Sequence, residues 1–198
     1  MNNLNSITVY CGSNYGSIPD YCQDAKVLGE LIAKRGSRLI YGGGNIGMMG
    51  AIADSALAHG GKVIGVIPTF LREKEVAHLG LDELIETPDM PTRKAKLIEL
   101  ADGFIAMAGG LGTYEELFEV LSLVQLERTT KPIGLLNTHG FFDPLIAMMH
   151  QTAQSGFIPS ANLDLFCVSD DPAQLLHKMA HHTPTKTQKW LTPDWISA

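Results

Sequence analysis

Short apolar runs and amphipathic stretches alternate along almost the whole chain. Ser6 to Cys11, Arg38 to Tyr41, Lys62 to Ile67, Gly103 to Met107, Pro132 to Leu136 and Leu165 to Val168 are runs of four to six residues, most of them closed by glycine, proline or asparagine. Leu84 to Glu86 is a weaker run of the same kind. Between them, apolar residues recur every three to four positions, the period of one helix face. Asp20 to Arg35 sets Ala25, Leu28, Leu31 and Ile32 on one face, and Met48 to His59 does the same with Met49, Ile52, Ala53 and Ala56. Pro91 to Leu100, Tyr114 to Leu126, Phe141 to Ser155 and Pro172 to His181 complete the helices, while Thr69 to Gly80 is mixed and charged and carries no clear period.

Strand and helix in regular alternation predict an α/β fold: a Rossmann-like, doubly wound parallel sheet with helices on both faces. No interdomain linker or repeat stands out, so the expectation is one domain over 1–182 and a tail over 183–198. That tail is expected to be loosely held, or packed on a neighbour through Trp190 and Trp195. Ligands in such folds sit at the carboxyl ends of the strands, near the point where strand order reverses. Gly12-Ser13-Asn14, Gly42 to Gly47 and Gly109 to Thr113 lie in that position.

Composition narrows the partners. A net charge of -6 and 45% apolar residues argue against a nucleic acid or an anionic membrane as the main partner, and against disorder. The apolar runs fall short of the ~20 residues a membrane-spanning helix needs. No leader is visible at the N-terminus, and Cys11, Cys22 and Cys167 are scattered and odd in number, so a cytoplasmic setting is expected.

Gly42-Gly43-Gly44-Asn45-Ile46-Gly47 matches the G-x-G-x-x-G pattern of dinucleotide sites, yet the next strand ends Val66-Ile67-Pro68-Thr69 without the acid that would hold a ribose. The glycines fit either a tight strand-to-helix turn or a smaller phosphorylated ligand. Neither glycine cluster is followed by Lys-Ser or Lys-Thr, so a Walker loop is absent. Gly109-Gly110-Leu111-Gly112-Thr113 leads from a strand into a helix, and free N–H groups at a helix start favour a phosphate. Thr113 and Glu116 have the spacing of a capping box, in which the glutamate only satisfies a backbone N–H. Alternatively Glu116 is a carboxylate beside a bound phosphate ester. Arg93-Lys94 at a helix start opposes the helix dipole, so the pair is either a solvated face or directed at an anion or carboxylate.

Arg93-Lys94, followed by Gly109-Gly110-Leu111-Gly112-Thr113-Tyr114-Glu115-Glu116 at matching separation, resembles the paired signature of the LOG proteins. These are cytokinin riboside 5'-monophosphate phosphoribohydrolases, long labelled lysine decarboxylases. Tyr41 to Gly50 and Lys131 to Asn137 are similar to further segments of that family, and the resemblance runs from about Ile7 to Ala180. It implies hydrolysis of the N-glycosidic bond of a purine nucleoside 5'-monophosphate (cytokinin-type or adenine), giving free base and ribose 5-phosphate. It implies Arg93 and Glu116 as catalytic residues. Binding residues would be Gly109, Gly110, Leu111, Gly112, Thr113, Lys94, Glu75, Gly43, Gly44 and Ser13. It also implies a homodimer or larger homo-oligomer, with no metal and no cofactor. The chain departs from the pattern at Ala108, where the family has proline, and at Pro91-Thr92, where many members have His-Glu. Amino-acid decarboxylation would need an electron sink such as pyridoxal phosphate on a lysine, for which Lys94 is thin support. The alternative function is a carrier or sensor that holds a nucleotide without cleaving it.

Overall fold

The computed structural model describes residues 1–72, 77–185 and 196. Its strands are β1 (Ser6–Tyr10), β2 (Arg38–Tyr41), β3 (Lys62–Pro68), β4 (Glu83–Thr87), β5 (Gly103–Ala106), β6 (Ile133–Leu136) and β7 (Cys167–Ser169). They form one sheet in the order β4-β3-β2-β1-β5-β6-β7, and every neighbouring pair is parallel. The order reverses between β1 and β5, where Ile7 pairs with Gly103 and Tyr10 with Ala106.

The helices are α1 (Pro19–Lys34), α2 (Gly47–Ala58), α3 (Thr69–Arg72), α4 (Met90–Leu100), α5 (Leu111–Gln125), α6 (Asp143–Gln154) and α7 (Pro172–His181). Two separate cores show how they are laid. Ile7, Val9 and Cys11 point to one face, against Leu28, Ile52 and Leu175 of α1, α2 and α7. Tyr10, Ile40 and Phe104 point to the other, against Leu97, Leu121 and Met149 of α4, α5 and α6. Successive strand residues face opposite ways. A central strand such as β1 is therefore covered on both faces, and all five of its residues are buried, Thr8 with its hydroxyl donating to the Leu97 carbonyl at 2.8 Å. The doubly wound expectation holds.

Several boundaries differ from the pattern reading. β7 begins at Cys167, because Ser160–Asp164 forms a 3-10 turn that carries Leu165 and Phe166 into the core before the strand starts. α6 begins at Asp143, behind a turn in which His139 takes φ 52°. The short α3 occupies part of the charged stretch that carried no period. Trp190, Trp195 and Glu75 lie outside the described residues.

Candidate active site

The carboxyl ends of β1, β2 and β5 open onto a cavity of about 180 Å³ lined by Tyr10, Cys11, Gly12, Ser13, Gly42, Met49, Arg93, Glu116 and the segment Gly110 to Thr113. α5 starts at Leu111 with Gly110 as its N-cap, and Gly110 has no side chain to cap it. The helix thus begins three residues earlier than the pattern reading, and Leu111, Gly112 and Thr113 form its first turn. The capping-box reading falls with that boundary, because Thr113 sits inside the helix, 4% exposed, and Glu116 projects from the following turn into the cavity. The first turn lines the cavity and no side chain caps its N–H groups, an arrangement suited to an anion.

Glycine is required behind this loop. A Cβ on Gly109 would lie 2.2 Å from Thr113 Oγ1 and 2.9 Å from the Gly12 nitrogen. Gly12 donates its N–H to the Ala108 carbonyl at 3.0 Å, so the β1 and β5 loops are tied together. That bond anchors the loop at Ala108.

Arg93 is buried, contrary to the solvated-face reading. It lies in the first turn of α4, whose N-cap Asp89 accepts from the Thr92 N–H at 2.8 Å. Its Nε donates to the Val66 carbonyl at 3.0 Å and its Nη2 to the Gly42 carbonyl at 3.4 Å. Nη1 stands 3.5 Å from Glu116 Oε1, and the two side chains are only 8% and 11% exposed. Backbone carbonyls from two strand ends therefore compensate a cation at the positive end of a helix, and they aim it at a carboxylate. A charge pair this secluded is weakly screened by salt.

Lys94 points elsewhere. Its Nζ is 2.8 Å from Glu115 and 3.4 Å from Glu119, on the flank of α4 and α5 and outside the cavity lining. The hydrogen bond to Glu115 raises its pKa above the usual lysine value. Ser13 lines the cavity; Gly43 and Gly44 do not, although their neighbour Gly42 does.

The pattern of residues did not single out Tyr10 or Met49, and it placed Cys11 only at the end of an apolar run. All three line the cavity. Burial, aided by the nearby carboxylates Glu116 and Glu119, pushes the Tyr10 phenol well up. Burial and Glu116 do the same to the Cys11 thiol. Both groups remain protonated at neutral pH, so Cys11 is no nucleophile. Among the described residues, no three His, Cys, Asp or Glu side chains gather to hold a metal ion.

The family model described as "Possible lysine decarboxylase" matches residues 49–179. Among curated proteins, the chain is 44% identical over 167 residues to a cytokinin riboside 5'-monophosphate phosphoribohydrolase of Rhodococcoides fascians, covering 84% of each chain. It is 40% identical over 178 residues to the probable enzyme of that name LOGL9 of Oryza sativa subsp. japonica, covering 90% of this chain and 78% of that one. Similarity to LOG2 of Arabidopsis thaliana is 37% over 178 residues, covering 90% and 84%. Among solved structures, the molybdenum cofactor binding protein of Rippkaea orientalis superposes with a TM-score of 0.65 at 25% identity, covering 89% and 96% of the two chains. The Moco carrier protein of Chlamydomonas reinhardtii, at 24% identity, a TM-score of 0.64 and coverage of 89% and 99%, shares the fold.

Proposed function

The chain belongs to the LOG family, and from that premise we propose that it hydrolyses the N-glycosidic bond of purine nucleoside 5'-monophosphates, with Arg93 and Glu116 as its catalytic pair. The products are free base and ribose 5-phosphate. The observation that carries the assignment of residues is the buried Arg93–Glu116 pair, 3.5 Å apart, in the cavity that the first turn of α5 borders.

The chemistry follows from charge. As the C1'–N bond breaks, the ribose becomes cationic, much as a sugar ring does in glycoside hydrolysis. The Glu116 carboxylate stabilises that charge and orients the attacking water, whose oxygen ends on C1'. One proton of that water leaves through the carboxylate, and the departing base takes up a proton. Arg93 holds Glu116 in direction. The 5'-phosphate binds the N–H groups of Gly110 to Thr113, with Ser13 across the cavity. Binding energy from this remote group positions the ribose. Glu75, in the family's place for a substrate-contacting glutamate, completes the proposed set. Lys94 takes no part in it: its ion pairs on the helix flank suit neither phosphate binding nor a Schiff base, which needs a neutral amine.

We also place the enzyme in the cytoplasm, in keeping with three free cysteines among the described residues. No helix among them is long and apolar enough to cross a membrane. The proposed assembly is a homodimer. Leu111 at the cavity mouth is 89% exposed and Phe118 on the same helix 36%, a rim that a second copy would cover. Sedimentation velocity at micromolar concentration is expected to give twice the chain mass, and a monomer would overturn this part.

Incubation with AMP and with adenosine tests the activity. AMP is expected to release adenine with a kcat/KM at least ~10²-fold above adenosine, since adenosine forfeits the phosphate's positioning energy. Equal turnover of the two would overturn the phosphate assignment. Tight AMP binding without adenine release would return the chain to the carrier reading.

A further inference from the structure

Resting on the assignment of Arg93 as a catalytic residue, we infer that His78 is a positioning residue, acting through Asp54 and the Gly42–Gly44 turn to hold Arg93 on Glu116. His78 is 7% exposed and touches none of the cavity. Both of its ring nitrogens are nonetheless committed. Nδ1 accepts from the Gly80 N–H at 3.1 Å, and Nε2 is 2.9 Å from Oδ1 of Asp54 on α2. A backbone N–H only donates, so Nδ1 carries no proton here. The ring proton is on Nε2 and is donated to Asp54.

These two bonds fix the turn over 77–80, and that turn is clamped on the glycine loop. The His78 N–H donates to the Gly43 carbonyl at 2.9 Å, and Ala77 pairs with Gly44 in an isolated antiparallel bridge. Gly43 itself lies at φ 79° and is packed against the sheet, where an added Cβ would meet Ile67 and Leu84 at 3.2 Å. The turn is therefore held between the sheet on one side and the 77–80 segment on the other. The peptide immediately before it carries the Gly42 carbonyl, which receives Arg93 Nη2 at 3.4 Å. The same residue crowds the guanidinium, since a Cβ on Gly42 would lie 2.3 Å from Nη2. A shift of this peptide changes where Nη1 stands relative to Glu116. Loss of the His78 clamp reaches the reaction by that route and leaves the phosphate turn of α5 untouched.

Asp54 offers the clean test, because its side chain is 69% exposed and its replacement opens no core. Asp54→Ala removes the acceptor for Nε2–H, whereas Asp54→Asn keeps an oxygen in its place. His78→Asn keeps an oxygen able to accept from the N–H two residues on, but stops short of Asp54. With AMP as substrate, Asp54→Ala and His78→Asn are each expected to lower kcat about tenfold with KM within about twofold, as small misplacements of reacting groups do. Asp54→Asn should stay near wild type, and the double variant His78→Asn/Asp54→Ala should be no worse than either single one.

Equal losses in Asp54→Asn and Asp54→Ala, or a rise in KM with kcat unchanged, would overturn the inference. Hydrogen exchange supplies a readout that needs no substrate: peptides covering 42–47 should exchange faster in Asp54→Ala than in wild type. If wild-type protein releases no base, the hydrolase reading fails, and exchange alone decides the clamp. Unchanged protection of 42–47 then refutes it.

Discussion

Replacing Glu116 with glutamine is expected to lower kcat for AMP by ~10³-fold, within the range spanned by losing a general base or a charge aimed at the transition state. Glutamine has nearly the same shape, so the cavity keeps its walls. What disappears is the negative charge facing a ribose that becomes positive. Binding is expected to survive, with KM within a few-fold, because the first turn of α5 is not altered. Folding should weaken only modestly. Arg93 retains the Val66 and Gly42 carbonyls, and an amide oxygen can still accept from Nη1. An ion pair exchanged for a weaker contact between a charge and an amide dipole costs on the order of 1–2 kcal/mol. For a chain of this size that is a few degrees in Tm. The control is Glu115→Gln, next in sequence but paired with Lys94 on the helix flank. It should leave kcat within about twofold, in line with the small worth of an exposed pair. Base release by Glu116→Gln at the wild-type rate would remove the carboxylate from the mechanism.

Gly47→Ala is expected to be the most damaging small change to the fold, lowering stability by about 3–4 kcal/mol. Two costs combine. Gly47 lies at φ 65°, where a side chain costs roughly 1–2 kcal/mol. A Cβ there would also stand 2.2 Å from the Ser13 carbonyl oxygen and 2.6 Å from the Asn14 nitrogen, both backbone atoms that cannot swing aside. Forced overpacking of this kind adds another 1–3 kcal/mol or so. Tm should fall by about 10 °C, at 2–4 °C per kcal/mol. Gly36→Ala separates the two costs. Gly36 has φ 75° but nothing within 4 Å of the added methyl. It should lose only the first cost, roughly 1–2 kcal/mol. Equal melting temperatures for the two variants would show that the β1 and β2 loops do not approach as described. A Gly47 variant that still folds should also lose activity, since Ser13 would be pushed off the cavity wall.

Gly47 explains why the first glycine segment was ambiguous as a sequence. The spacing of Gly42 to Gly47 suits a phosphate loop, yet its glycines mostly permit close passage of backbone: Gly47 at Ser13, and Gly43 between the sheet and the 77–80 turn. Only Gly42 reaches the cavity. Close approach and ligand binding ask for the same missing side chain, so the letters alone do not separate them. The alternation of strands and helices was legible because parallel strands buried on both faces are mostly apolar, a strong local signal. The start of α5 was not. Leu111-Gly112-Thr113 carries a glycine and follows two more, so it reads as loop, whereas in the fold it is the first turn of the helix, with Thr113 buried beside Gly109. Lys94 was assigned with Arg93 because adjacent residues look equivalent in sequence, although neighbours on a helix point about 100° apart. One therefore enters the cavity and the other meets Glu115. Tyr10, Cys11 and Met49 passed as ordinary core residues, and nothing local marks the end of a strand as the floor of a site. The clamp of His78 on Gly43 spans residues far apart in sequence and has no local signature at all.

The central strand of the sheet is the first to be made. β1 takes β2 as one neighbour soon after synthesis, but its other neighbour, β5, lies 96 residues downstream, counted from Ile7 to its partner Gly103. At ~5–20 residues per second, a ribosome takes roughly 5–20 s to deliver it. For that interval Ile7, Thr8 and Val9 present an open strand edge to whatever else is in solution. The seam where β1 meets β5, which later carries the cavity, thus closes well after the seam between β1 and β2, and its edge stays open for pairing in the meantime.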